Sequence, residues 1–160
     1  MILKTFESKK INLDKNKIVL FYGQNEGHKK EEISKLLIAN KNREIIKYSE
    51  NEILENSENL YNHILSESLF SQKKVIIVNR ASDKILKIIE YLNNKSFSDV
   101  FIIINAKNLE KKSKLRSFFE KSKKFISIAF YPDNNQTLAK YAALFFKENK
   151  IHMSQENLNF

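Results

Sequence analysis

An apolar run, Ile18-Val19-Leu20-Phe21-Tyr22, passes straight into Gly23-Gln24-Asn25-Glu26-Gly27-His28-Lys29-Lys30 and then into an apolar helical pattern. Strand, glycine turn, basic residue and helix is the order that binds phosphate, because backbone N–H groups and a helix N-terminus converge on the anion. A working loop of this kind has four residues between its glycines, then Lys, then a Ser or Thr that meets magnesium. Here three residues separate Gly23 from Gly27, and Lys30 stands where the hydroxyl would be sought. Glu26 would place a negative charge inside the anion cradle. Gly23, Gly27, Lys29 and Lys30 therefore read as a degenerate phosphate loop in which no nucleotide, and no other cofactor, is expected.

The remaining chemistry-bearing residues agree. A nucleotide hydrolase usually ends a neighbouring strand in a carboxylate that holds magnesium or water. Val75-Ile76-Ile77-Val78 is followed instead by Asn79-Arg80-Ala81, and Asp83, further on, reads as helix capping. His28, His63 and His152 are far apart, with no carboxylate or thiol pattern around them, so no metal site is expected. No Gly-x-Ser-x-Gly elbow or recognisable acid pair occurs, and no catalytic residue is assigned.

The elements that would position these residues alternate along the chain. Apolar runs recur at Ile18–Tyr22, Glu44–Tyr48, Val75–Val78, Val100–Ile104 and Ile126–Phe130. The third and fourth are continuous and β-branched, as in strands buried on both faces. Helical patterns lie between them, which predicts an α/β fold with a parallel sheet of five strands and helices on both faces. Ser82-Asp83 can cap a helix carrying Ile85, Leu86, Ile88, Ile89 and Leu92 on one face. A helix from Leu109 to Lys121 would turn Leu115, Phe118 and Phe119 inward and Lys111, Lys112, Lys114 and Lys121 outward. Tyr131-Pro132-Asp133-Asn134-Asn135 marks a loop that ends the sheet domain. An amphipathic helix is expected over Thr137 to Lys147, and Ser154 reads as the N-cap of a further helix that stops with the chain, as a truncated second domain would.

One pair of apolar residues fits this scheme poorly. A helix over about Glu58 to Ser68 has a core stripe of Leu60, Tyr61, Ile64 and Leu65. At about 100° per residue, Leu69 lies about 40° from Leu65 and can extend the stripe. Phe70 falls about 140° from Leu65 and about 120° from Ile64, so a continued helix points its ring away from the core. Either the helix ends first and the ring folds back onto the sheet, or Phe70 has a partner elsewhere.

Composition bounds the rest. The chain has 160 residues, 42% of them hydrophobic, with 12 Phe and no Cys. That suits one globular domain with an appendage and excludes a disulfide scaffold or thiolate zinc site. No apolar run approaches a membrane span and no secretory signal is read, so a cytoplasmic location is expected. The net charge of +9 admits a nucleic-acid partner, but Lys, Asn and Ile are abundant throughout.

Four stretches, in order, resemble the N-terminal part of the delta subunit of bacterial DNA polymerase III, the clamp-loader subunit. They are Phe21-Tyr22-Gly23-Gln24-Asn25-Glu26; Ser68-Leu69-Phe70-Ser71 before an apolar strand; the run from Ile102 to Leu115; and the Tyr131-Pro132-Asp133-Asn134 turn with its following helix. The resemblance implies a three-layer, P-loop or AAA+-like sheet domain over residues 1–135 and the beginning of a helical lid over residues 136–160. It implies no hydrolysis of ATP. It also implies a hydrophobic plug, Leu69 and Phe70, that enters the sliding clamp (beta subunit) and helps to open it for loading on primed DNA in replication, with Ser66, Glu67, Ser68 and Ser71 around it. The resemblance further implies association with the delta prime and gamma/tau subunits in the full-length protein, within a DNA-directed DNA polymerase (nucleotidyltransferase) holoenzyme, with no membrane partner. Family members are about twice this length and carry a collar domain, so this chain is expected to bind the clamp without forming the loader ring. The alternatives are a nucleotide-binding enzyme with an irregular phosphate loop and a basic DNA-binding domain.

Overall fold

The structure, a computed structural model, describes residues 1–65 and 73–152. In chain order the elements are β1 (Ile2–Leu3), β2 (Ile18–Tyr22), α1 (Glu26–Ala39), β3 (Glu44–Ser49), α2 (Glu50–Glu55), α3 (Ser57–Leu65), β4 (Lys74–Ala81), α4 (Leu86–Asn93), β5 (Val100–Ala106), α5 (Lys114–Lys121), β6 (Ile126–Ala129) and α6 (Asn135–Glu148). Short 3₁₀ turns at Thr5–Lys10 and Asp83–Ile85 complete the described residues.

Among the described residues, six strands form a single sheet in the order β1-β6-β2-β5-β4-β3, and every pairing is parallel. The five expected strands are all present, so the expectation of five is corrected to six by β1. This strand is two residues long and pairs Ile2 with Ser127 and Leu3 with Ile128. Two residues are too few to make a period, which is why the sequence pattern does not reveal it.

Alternation along β2 divides the core. Ile18, Leu20 and Tyr22 join the cluster built by Ile53, Leu60, Ile64, Ile89, Leu115 and Phe119 from α2, α3, α4 and α5. Val19 and Phe21 join the opposite cluster, where Ile33 of α1 packs with Leu3, Ile11 and Leu13. Residues buried on both sides explain why β2 and β5 read as unbroken apolar runs rather than alternating ones. Burying one such side chain contributes roughly 1.5–3 kcal/mol.

The chain leaves β2 through α1 on one face to reach β3 at the sheet edge, then returns through β4 and β5 with its helices on the other face. Ligands of open parallel sheets bind beyond the strand C-termini where the winding reverses. That point lies beside the end of β2, at Gly23.

Two expected helices are shorter than the sequence pattern suggested. The helix placed from Leu109 begins at Lys114, because Ser113 accepts the Arg116 N–H (3.1 Å) as N-cap. The helix after Ser82 starts as the 3₁₀ turn and becomes α4 only at Leu86. The helix expected over Glu58 to Ser68 is described from Ser57 to Leu65, with Leu60 and Ile64 buried and Leu65 exposed at the edge of the stripe.

The chain divides into two units, Met1–Phe130 and Tyr131–Phe160. In the second, α6 is N-capped by Asn134, whose side chain accepts the Thr137 N–H (2.9 Å) while Thr137 Oγ1 accepts the Asn134 N–H (2.8 Å). Ser154, expected as a further cap, lies outside the described residues.

Candidate functional site

Gly23 closes β2 with φ of 126°, a conformation that side chains rarely adopt. A Cβ there would lie 2.2 Å from the Phe130 carbonyl oxygen. The close approach has a purpose: the Gly23 N–H donates to the Lys107 carbonyl (3.1 Å) and the Asn25 N–H to the Phe130 carbonyl (3.2 Å). The turn is thus stitched to the chain leaving both β5 and β6. A phosphate cradle needs such N–H groups aimed at an anion. Here these two already have protein acceptors.

Gly27 differs. It lies in the first turn of α1, and a Cβ there would meet nothing closer than Asn25 Oδ1 at 3.8 Å. Asn25 is the N-cap, accepting the His28 N–H (3.0 Å), and Glu26 places its negative charge in the first turn, where the helix dipole favours it.

Lys29 is 1% exposed. Its ammonium donates to the Ala106 carbonyl (2.5 Å) and to Glu26 Oε1 (2.7 Å). A buried ammonium without partners is costly, and these two supply them. The cation that should greet a phosphate is therefore directed at the end of β5. Lys30, the next residue, is exposed. The structure brings Gly23, Gly27, Lys29 and Lys30 into one turn and helix start, but not into an anion cradle.

Beyond this turn lies a crevice of about 720 Å³ lined by Gly23, Glu26, Tyr48, Asn79, Arg80 and Asn105 among others. Asn79 and Asn105 are register partners on β4 and β5, and Asn105 Nδ2 donates to Asn79 Oδ1 (3.1 Å). Two amides thus stand where a hydrolase needs a carboxylate. Arg80 follows with φ of 59°, at the register shift between Asn79 and Ala81. Nothing in the sequence singled out Asn105 or the turned backbone of Arg80, since an irregularity inside an apolar strand leaves no periodic signature.

Asp83, the nearest acid after β4, serves α5. It accepts from Ser113 Oγ (2.5 Å) and from the N–H groups of Leu115 (3.0 Å) and Lys114 (3.1 Å). Burial pushes its carboxyl up, but these hydrogen bonds outweigh that and hold it below the usual aspartate range. The capping expected of Asp83 is thus exerted mainly on a different helix from its own. Among the described residues, no group of three or more His, Cys, Asp and Glu could hold a metal ion.

The proposed plug residues Ser66, Glu67, Ser68, Leu69, Phe70 and Ser71 lie outside the described residues. The elements on either side are firmly set. In α3, Leu60 and Ile64 are buried, the Tyr61 and Tyr91 rings are 4.8 Å apart, and Tyr48 Oη is 2.6 Å from His63 Nδ1. On the other side Lys73 leads into β4, its backbone carbonyl accepting the Glu44 N–H (3.0 Å).

The family model for DNA polymerase III, delta subunit, matches residues 19–129. Among solved structures, the chain is similar to the Bacillus subtilis DNA clamp loader delta protein (YqeN), with a TM-score of 0.58 and 11% sequence identity. The similarity covers 96% of this chain and 49% of that one, so this chain spans about half its length. At that identity the likeness is one of fold. No curated protein matches the sequence.

Proposed function

Because the chain belongs to the DNA polymerase III delta-subunit family, we propose that it is a non-catalytic clamp-loader module that binds the sliding clamp (beta subunit) and helps to open it. Leu69 and Phe70 would be the anchors, with Ser66, Glu67 and Ser71 forming the polar rim and Ser68 a further clamp-binding residue. A few central apolar residues can carry most of an interface's binding energy. Leu and Phe together contribute on the order of 3–6 kcal/mol before the costs of association. Residues 1–135 would form the AAA+-like, clamp-binding sheet domain and residues 136–160 the start of a helical lid. In the cytoplasm, the full-length protein would act with delta prime and gamma/tau subunits to place the ring on primed DNA. It would belong to the polymerase holoenzyme as a subunit and not as its nucleotidyltransferase centre.

The observation that carries the non-catalytic part is the Lys29 ammonium, bonded to the Ala106 carbonyl and Glu26 where a nucleotide-binding relative would offer it to phosphate. Calorimetric titration of the chain into a bacterial sliding clamp, beside a folded Leu69→Ala/Phe70→Ala variant, tests the binding part. Heat released by the wild type and lost in the variant is the expected result; a folded wild type that does not bind removes the proposal. A thermal melt with ATP and magnesium tests the other part, since a nucleotide at 100 times its dissociation constant would add about 2.7 kcal/mol of stability. No shift is expected.

A further inference from the structure

We propose that the crevice at the strand C-termini binds an extended acidic peptide segment, whose carboxylate is taken by Arg80 and Lys107. Such a site would act independently of Leu69 and Phe70. The crevice of about 720 Å³ beside Gly23 adjoins a second hollow of about 480 Å³, and Ser49, Arg80, Lys107 and Asn108 line both. The trough so formed crosses the ends of β2, β5, β4 and β3. Three strand spacings make it roughly 14 Å long, a distance that about four extended residues cover.

Arg80 sets this trough apart. It follows Asn79 at the register shift against β5, with φ of 59° and an exposed side chain. An arginine in the left-handed region carries a backbone cost, and such irregularities re-aim side chains beside functional sites. Glycine or asparagine would make the turn more cheaply. Arginine adds a planar guanidinium, which grips a carboxylate through two parallel hydrogen bonds. The charges around it are unequally engaged. Glu26 is paired with Lys29 (2.7 Å), Glu52 accepts from the Ser49 N–H (2.6 Å) and Oγ (2.7 Å), and Glu50 accepts from the Ser82 N–H (2.6 Å). Lys47, Arg80 and Lys107 are exposed and form no ion pair among the described residues. Unpaired cations beside carboxylates that the fold has already used suit an incoming anion.

Two observations choose a peptide over phosphate. Asn105, which lines the crevice, gives its side-chain N–H to Asn79, while its Oδ1 is buried and accepts no hydrogen bond among the described residues. A buried acceptor calls for a donor. A peptide N–H supplies one, whereas a phosphate group brings mainly acceptor oxygens. The second observation is that Glu26 and Glu52 line the same space. A multiply charged phosphate meets repulsion there that a single carboxylate between neutral amides largely avoids.

The test is a titration of the full chain, followed by nitrogen–proton correlation NMR spectra. The probes are a blocked tetrapeptide carrying one central Glu, its Gln counterpart and inorganic pyrophosphate. The Glu peptide should give saturable shifts at the backbone amides of Arg80, Asn105 and Lys107. Binding should be about tenfold weaker for the Gln peptide, and about tenfold weaker for the Glu peptide in Arg80→Gln, with the variant's spectrum elsewhere matching wild type. Lys107→Gln, at a second exposed position, should weaken the Glu peptide by a smaller factor. Absence of saturable shifts at millimolar peptide would overturn the site. Equal binding of the two peptides, or of the Glu peptide by wild type and Arg80→Gln, would do the same. Tighter binding of pyrophosphate at these amides would also overturn it, assigning the cations to phosphate. None of these outcomes depends on whether the chain binds the clamp.

Discussion

The Lys29 ammonium lies 2.5 Å from the Ala106 carbonyl oxygen, so the first turns of α1 are fastened to the end of β5 by a charged hydrogen bond inside the core. Glu26, largely exposed, neutralises the same ammonium from the solvent side. Replacing Lys29 with Met keeps the unbranched side chain to within one atom of its length and removes the donor. A hydrogen bond to a charged group contributes about 1.5–3 kcal/mol, and relief of the buried charge offsets part of that. Lys29→Met should therefore lower the urea midpoint by an amount equivalent to roughly 1–2 kcal/mol. Unchanged stability would mean that the ammonium contributes nothing where it sits.

The two glycines of the turn should respond in opposite directions. Gly23→Ala must relieve a 2.2 Å approach to backbone in a left-handed conformation, and a loss of about 2 kcal/mol or more is expected. Gly27→Ala enters open space in a helix and should gain about 0.4–1 kcal/mol. Thermal melts of the pair decide this; equal losses at both positions would contradict the geometry of the turn.

Asp83 gives the fold a pH-dependent joint. Its folded-state carboxyl is held below the ordinary value near 3.9, so the ionised form favours the native state. The stabilisation is complete above that ordinary value and disappears as pH falls through the lower, folded value. Asp83→Asn should cost about 1 kcal/mol at pH 7, in the range of a lost helix cap. The gap between wild type and variant should stay constant from pH 7 to about 5 and narrow only below about 4. A gap that closes near pH 6 would point to another group.

The Leu69→Ala/Phe70→Ala variant carries a second readout besides clamp binding. Truncating a core Leu or Phe costs about 2–5 kcal/mol each, while truncating an anchor meant for a partner costs the free chain little. The double variant should unfold within about 1 kcal/mol of wild type. A fall of several kcal/mol would return both side chains to the core, which is the other reading of their helical geometry.

Most of the sheet could be read in advance because β2, β4 and β5 are buried on both faces and so stand out as nearly continuous Ile, Val and Phe. The elements missed were those whose signal is not periodic. Ile2 and Leu3 become a strand only because β6 offers an edge, with the Met1 amino group bonded to the Phe125 carbonyl (2.5 Å). The start of α5 is set by Ser113 and by Asp83, thirty residues distant in sequence, and no local pattern reports such a bond. The phosphate-loop defects were visible as spacing and charge. What fills the cradle was not, since the acceptors are carbonyls of Lys107 and Phe130, and every residue has a carbonyl.

Parallel strands also hold the two ends of the sheet apart. All six run the same way, so every strand starts at one pole and ends at the other. Across the five residues of β2 the poles are about 16 Å apart. Substitutions in the turn at Gly23 therefore need not disturb Lys73 and the start of β4 at the other pole. Each end of the sheet can be altered without the other, and a sheet of mixed strand direction would not divide its ends so cleanly.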